Sequence, residues 1–242
     1  MIDVTIMVIN YKQDYYIRRA IQSAEDQCKP KAPYLRNYWR YMPNFVVKRY
    51  DDLQGIGSSA ARNQAMKMVA TPYCIILDAD DMLPSHFLWY LWCELEEAKR
   101  DVRPFTTKHF VGPSVQFFEG IRMDRLFYDC PVEYNGSTFE TYCPCATISA
   151  LFSMKGYHEI GGFDENLKAL TDWDFFIRLH RAGYSYLHCS DTFILRRGDV
   201  PGSITQTGMS SEEKSKAILK AFNDKHGTKL TQYPQGYVIP SR

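Results

Sequence analysis

Residues 75–84 read Ile75-Ile76-Leu77-Asp78-Ala79-Asp80-Asp81-Met82-Leu83-Pro84, an apolar run that passes directly into three carboxylates. Ile75, Ile76 and Leu77, with no polar alternation, describe a strand buried on both faces, as at the centre of a parallel sheet. Carboxylates crowded into four positions repel one another unless a cation or hydrogen-bond donors lie among them. The carboxyl ends of parallel strands are also where open α/β sheets bind ligands. Hard oxygen donors at such a point suit Mg2+ or Mn2+ bridging a diphosphate. The competing reading is a polar turn that caps the next helix, with Pro84 in its first turn. This stretch alone balances the two.

Outward from that strand the chain alternates strand and helix, which implies a mostly parallel sheet. Strands are expected at Val4–Ile9, Phe45–Tyr50, Tyr73–Leu77, near Ala146–Met154 and at Ser190–Arg196. Helices are expected at Tyr15–Asp26, Ser59–Val69, Ser85–Lys99, Asp172–Ala182 and Glu212–His226. Between about Arg103 and Tyr142 the periodicity breaks into Pro, Gly and aromatics, read as loops of the kind that form lids or substrate contacts. No internal repeat or low-complexity tract is present.

Composition narrows the class. The chain has 242 residues, enough for one large domain with a substantial core. Its 29 basic and 28 acidic residues nearly cancel, so no overall field marks a nucleic-acid or membrane partner. The N-terminus meets Asp3 at once and reads as a first strand, not a signal peptide. No run approaches the roughly 18 apolar residues of a transmembrane helix. An odd seven cysteines, some in apolar segments, fit a reducing compartment, and a cytoplasmic location is expected.

Four features join the acidic cluster. The first strand ends in the polar-aromatic pair Asn10-Tyr11. Gly55-Ile-Gly57-Ser-Ser-Ala-Ala-Arg62-Asn63 has glycines that allow close backbone approach and a helix start able to hold a phosphate. Gly161-Gly-Phe-Asp-Glu165 leads into Thr171-Asp172-Trp-Asp174-Phe-Phe-Ile-Arg178, with Phe175, Phe176 and Leu179 towards the core. Arg197-Gly-Asp199-Val-Pro-Gly-Ser-Ile-Thr205 is a polar loop after the last strand.

In that order these motifs resemble glycosyltransferase family 2, over roughly residues 3–205. The resemblance implies a GT-A fold as a single domain over 1–242, with a nucleotide-sugar-binding half (1–100), an acceptor and catalytic half (101–210) and a C-terminal helix and tail (211–242). It also implies a nucleotide-sugar donor, most simply a UDP-sugar, a divalent cation (Mn2+ or Mg2+) and inversion at the anomeric carbon. By the same resemblance Tyr11 lies beside the base and Arg62 contacts the base or diphosphate. Asp78 holds the ribose or uracil side, and Asp80 ligates the metal. Asp172 is the general base for the acceptor hydroxyl, with Asp174 structural. A leaving nucleoside diphosphate needs its charge neutralised, and the attacking hydroxyl needs a carboxylate within reach.

Two departures from the pattern stand out. The unit that usually ends in a base-reading Asp is compressed, so either Asp51 or Asp52 takes that role, with Asp52 preferred, or the strand is the later one and the base-reading acid is absent. Where the family often has a metal-binding His in the final loop, this chain has Val200 preceded by Asp199. Asp199 then supplies an oxygen instead, or Asp80, phosphates and water hold the metal. Basic residues interleaved with aromatics across Lys29–Tyr50 keep open an acceptor in DNA, though a solvated connection is favoured. Two rivals remain. A sugar nucleotidyltransferase would want a basic phosphate loop after strand one, which residues 10–15 do not offer. A non-catalytic sugar-nucleotide or nucleic-acid binding module would bind donor without turnover.

Overall fold

The computed structural model describes residues 2–30, 42–100, 108–119, 122–128, 147–198 and 212–230. The chain runs β1 (Val4–Asn10), α1 (Ile17–Glu25), β2 (Phe45–Asp51), α2 (Ser58–Met66), β3 (Tyr73–Asp78), α3 (Phe87–Arg100), β4 (His109–Glu119) and β5 (Arg122–Tyr128). It continues through β6 (Phe152–Ser153), α4 (Met154–Glu159), α5 (Thr171–Arg181), β7 (Ser185–Arg197) and α6 (Glu212–His226). One sheet has the order β2-β1-β3-β6 and the other β5-β4-β7. The pairs β1–β2, β1–β3 and β4–β7 are parallel, whereas β3–β6 and β4–β5 are antiparallel.

Burial on both faces, read from the apolar runs, is what β1 and β3 show. Successive side chains of a strand point to opposite faces, so the sheet feeds two cores. Met7, Ile9, Cys74 and Ile76 enter a core with Trp173, Phe175, Phe176 and Phe222 from α5 and α6. Val4, Ile6, Val8, Ile75 and Leu77 enter the opposite one with Ala20, Ala24, Leu88, Leu91 and Leu95 from α1 and α3. With β1 central, β2 on one side and β3 on the other, the chain reverses direction at β1. The carboxyl ends of β1 and β3 therefore border a topological switch point, the place where such sheets form a ligand crevice. Register puts Ile9 beside Asp78 and Asn10 beside Asp51, so the polar ends lie in one row.

The region expected to be loops is corrected at 109–128, where β4 and β5 form a long ribbon. The misreading has a physical source. Gly112 and Pro113 break the pattern inside β4, and the β7 partner slips at that point, Pro113 pairing with Cys189 and Ser114 with Phe193. Such a bulge is where a strand tolerates Pro. The strand expected near Ala146–Met154 narrows to Phe152–Ser153, because Ser153 starts α4 by accepting the Gly156 N–H at 3.0 Å. Conversely β7 begins five residues before the expected Ser190. The four cysteines among the described residues, Cys28, Cys74, Cys93 and Cys189, are all thiols. Among those residues no helix is long and apolar enough to cross a membrane.

Candidate active site

The row of strand ends is tied together first by Asn10. Its amide donates to Asp51 Oδ1 at 2.8 Å and Asp14 Oδ1 at 3.0 Å, while its Oδ1 accepts the Gln13 N–H. Tyr11 follows, 46% exposed, with the Lys12 ammonium 5.1 Å from its ring. The ring lies against the glycine loop after β2. A Cβ on Gly55, whose φ is +70°, would sit 2.9 Å from the Tyr11 hydroxyl. Gly55 is therefore required twice, by its backbone and by the approach of Tyr11.

The two adjacent acids at the end of β2 separate by environment. Asp51 is half-buried and accepts Arg49 Nε at 2.9 Å and Nη2 at 2.6 Å, which holds its carboxyl below the usual range. Asp52 is buried, and its Oδ1 accepts the Gly55 and Ile56 N–H groups at 2.8 and 3.2 Å. One oxygen of Asp52 thus shapes the loop that carries Gly55.

At the end of β3, Asp78, Asp80 and Asp81 occupy a tight turn closed by the Asp81 N–H on the Asp78 carbonyl. Burial, and then the neighbouring Asp78, push the Asp80 carboxyl up to about 6. Asp81 is held well above the usual carboxylate range by burial and by Asp80; its Oδ1 accepts the Arg197 N–H at 3.0 Å. Asp81 thus ties this turn to the end of β7. Arg197 itself lies between the rings of Tyr16 and Phe118, 4.3 and 4.4 Å from its guanidinium carbon. A turn in which neighbouring carboxylates resist ionisation is one that a divalent cation would relieve. The donor set is hard oxygen. No group of three His, Cys, Asp or Glu among the described residues is arranged to surround an ion. One or two carboxylates completed by phosphate oxygens and water is the usual provision for Mg2+ or Mn2+, and the residues present fit it. Asp199 lies outside the described residues.

Arg62 bridges the two halves of the sequence. Its buried guanidinium donates to the Thr171 hydroxyl at 2.9 Å and faces Asp78 Oδ2 at 3.5 Å, with the Phe163 ring 5.5 Å away. Asn63, the next residue, accepts the Phe163 N–H and the Tyr157 hydroxyl on Oδ1. It donates to the Phe163 carbonyl and Glu165 through Nδ2. Gly162 is excluded from bearing a side chain by this clasp, since a Cβ there would lie 2.8 Å from Asn63 Oδ1.

The start of α5 thereby comes to the end of β3. Asp172 follows Thr171 in the first turn, its Oδ1 accepting the N–H of its neighbour Trp173 at 3.2 Å. Asp174 is wholly buried and structural. Burial alone would raise it, but His226 and Arg178, then Lys225, hold it well below the carboxylate range. Tyr11, Asp52, Arg62, Asp78, Asp80 and Asp172 therefore all lie along one edge. Thr171 and the Asn63 clasp were missed in the sequence, because a Thr at a helix start reads as a cap and an Asn inside a helix as surface.

A search of known protein-family profiles finds no match. A teichoic acid poly(glycerol phosphate) polymerase of Staphylococcus epidermidis is 24% identical over 209 residues, which is 81% of this chain and 28% of the polymerase. This chain thus spans less than a third of that relative. Among solved structures, S. aureus TarS 1–349 in complex with UDP-GlcNAc superposes with a TM-score of 0.60 at 14% identity, covering 92% of this chain and 67% of that one. A mannosyltransferase from Pyrobaculum calidifontis in complex with GDP-Man and Mn2+ gives 0.53 at 14% identity, covering 90% and 68%. The fold is GT-A. Within this GT-A chain, Arg62 links the Asp78 turn to the α5 start, and the Gly55 loop follows the neighbouring end of β2.

Proposed function

We propose that this chain is a metal-dependent inverting glycosyltransferase that moves a sugar from a nucleotide-sugar donor, a UDP-sugar by preference, to an acceptor hydroxyl. One observation carries the reading. The buried Arg62 cation spans Asp78, on the donor side, and Thr171, the residue before Asp172. That arrangement supports a donor site and a candidate base that adjoin at the end of β3. The relatives add support, because TarS is complexed with UDP-GlcNAc and the mannosyltransferase with GDP-Man and Mn2+.

In this reading Tyr11 lies along the base and Asp52 reads it with the oxygen not used by the loop. Asp78 takes the ribose or uracil side. Asp80 would hold Mn2+ or Mg2+ with the diphosphate, and Asp199 would be the further ligand expected from the sequence. The cation, when bound, neutralises charge on the leaving diphosphate. Asp172 accepts the acceptor hydroxyl proton as that oxygen bonds to the anomeric carbon and the carbon–phosphate-oxygen bond breaks. A single displacement of this kind inverts the centre. Lys48 and Arg49 are engaged on the Met68 carbonyl and Asp51; residues 31–41 of that basic segment lie outside the described residues.

Asp172→Asn tests the assignment. Asn keeps size and the local hydrogen bond but removes basicity, so nucleoside diphosphate release from the donor should fall roughly 10²- to 10⁴-fold while donor affinity stays. Normal turnover in that variant would sink the base; lost donor affinity would show that the residue belongs to the donor site.

A further inference from the structure

We infer that Thr171 is a positioning residue for the donor: its hydroxyl fixes the Arg62 guanidinium at the end of β3. The inference rests on the donor role proposed above for Arg62. Thr171 and Arg62 are both buried, 5% and 7% exposed. A buried guanidinium needs fixed partners for its donors. Asp78 is at the edge of hydrogen-bond distance, 3.5 Å, and 40% of its side chain is open to solvent. The 2.9 Å bond to Thr171 is the well-formed side-chain contact of this guanidinium.

The N-cap position of α5 is Leu170, whose side chain accepts no N–H, and the Asp174 N–H goes to the Leu170 carbonyl. Thr171 is the first residue of the helix proper, and its hydroxyl accepts from Arg62. The chain enters Thr171 through Leu170 at φ +58°, a left-handed conformation that costs a non-glycine residue energy. Only one other non-glycine residue among those described has positive φ: Lys12, directly after Tyr11. Such conformations concentrate where a site is held against local preference. A turn entered through the left-handed Leu170 delivers the hydroxyl to Arg62.

The placement has a consequence for order of events. Arg62 faces the donor side and Thr171 adjoins Asp172, so a ligand that draws on Arg62 bears directly on the turn that carries the base. Thr171→Val retains shape and branching at Cβ and removes only the hydroxyl, whereas Thr171→Ser restores it.

The test is calorimetric titration of UDP and of GDP, each with Mn2+, into the whole chain, for wild type, Thr171→Val, Thr171→Ser, Arg62→Ala and the Thr171→Val/Arg62→Ala pair. A hydrogen bond to a charged group sets the scale, so Thr171→Val should weaken the better-bound nucleotide roughly ten- to hundredfold. Thr171→Ser should restore most of it. Valine should add little once Arg62 is gone, because Thr171 acts through that guanidinium. Full affinity in Thr171→Val together with a loss in Arg62→Ala would overturn the positioning role and leave the donor reading standing. Effects that simply add in the pair would also overturn it, since they would mark general loosening. Undiminished affinity in Arg62→Ala would remove the donor reading and this inference with it.

Discussion

Asp174→Asn should be among the most destabilising single changes in this chain, and its size follows from the surroundings of the carboxylate. Asp174 has no exposed surface. Its Oδ2 receives Arg178 Nη2 at 2.6 Å and Nε at 2.9 Å, and its Oδ1 receives His226 Nε2 at 3.0 Å and Lys225 Nζ at 2.5 Å. Lys225 also reaches Asp164, in the turn clasped by Asn63. Removing the negative charge leaves the Arg178 and Lys225 cations facing one another in a half-buried pocket. Breaking a buried pair from one side costs about 3–5 kcal/mol. For a domain of this size that corresponds to a fall in melting temperature of about 6–20 °C. The pH dependence supplies an internal control. The folded-state value for Asp174 lies below its ordinary 3.8, so the carboxylate stabilises the fold at pH above that value. That contribution fades as pH drops from about 4 towards the folded value. Thermal melts of wild type between pH 6 and pH 3, read by circular dichroism, should therefore begin to narrow towards those of the variant at the acid end, with the larger part of the difference persisting at pH 3. A loss below about 1 kcal/mol at neutral pH, the size of a surface pair, would refute the reasoning, as would parallel acid slopes for the two proteins.

Asn63→Ala deletes all four bonds of the clasp and should cost about 2–4 kcal/mol in denaturant midpoints, with Asn63→Asp recovering only part because it cannot donate. A cost near that of a surface substitution would show that the Gly161–Glu165 turn holds itself. Gly55→Ala forces a Cβ against the Tyr11 hydroxyl at φ +70°, so stability should fall by about 1–2 kcal/mol and nucleotide affinity should fall with it. Unchanged affinity by titration would separate Tyr11 from the base.

The parts of the fold set by burial were legible in residues 4–9 and 73–77, because continuous apolar runs have one good home, between two layers of helix. Helix α6 was readable end to end, and α5 to within a residue, because apolar residues recur there among charged ones at helical spacing. β4 was not, since its information lies in the partner: Pro113 is acceptable only because β7 bulges beside it. The acids of the site were visible as residue types. Their division of labour was not, because Asp51, Asp52 and Asp81 differ by whether Arg49, the Gly55 loop or the Arg197 backbone claims them. Those partners are 2 to 116 positions away. The link from Arg62 to Thr171 spans 109 positions and connects two residues of ordinary appearance.

The account turns on a donor diphosphate and a divalent cation meeting at the end of β3. The direct test is titration of UDP-sugars and GDP-sugars into wild type and Asp80→Asn, with Mn2+, with Mg2+ and with chelator. The account predicts that at least one nucleotide sugar binds wild type with a cation, that Mg2+ serves about as well as Mn2+ for an all-oxygen donor set, and that Asp80→Asn loses the cation-dependent part while its melting temperature does not fall. Equal affinity with chelator, or an Asp80→Asn variant that keeps the full cation-dependent affinity, would contradict it.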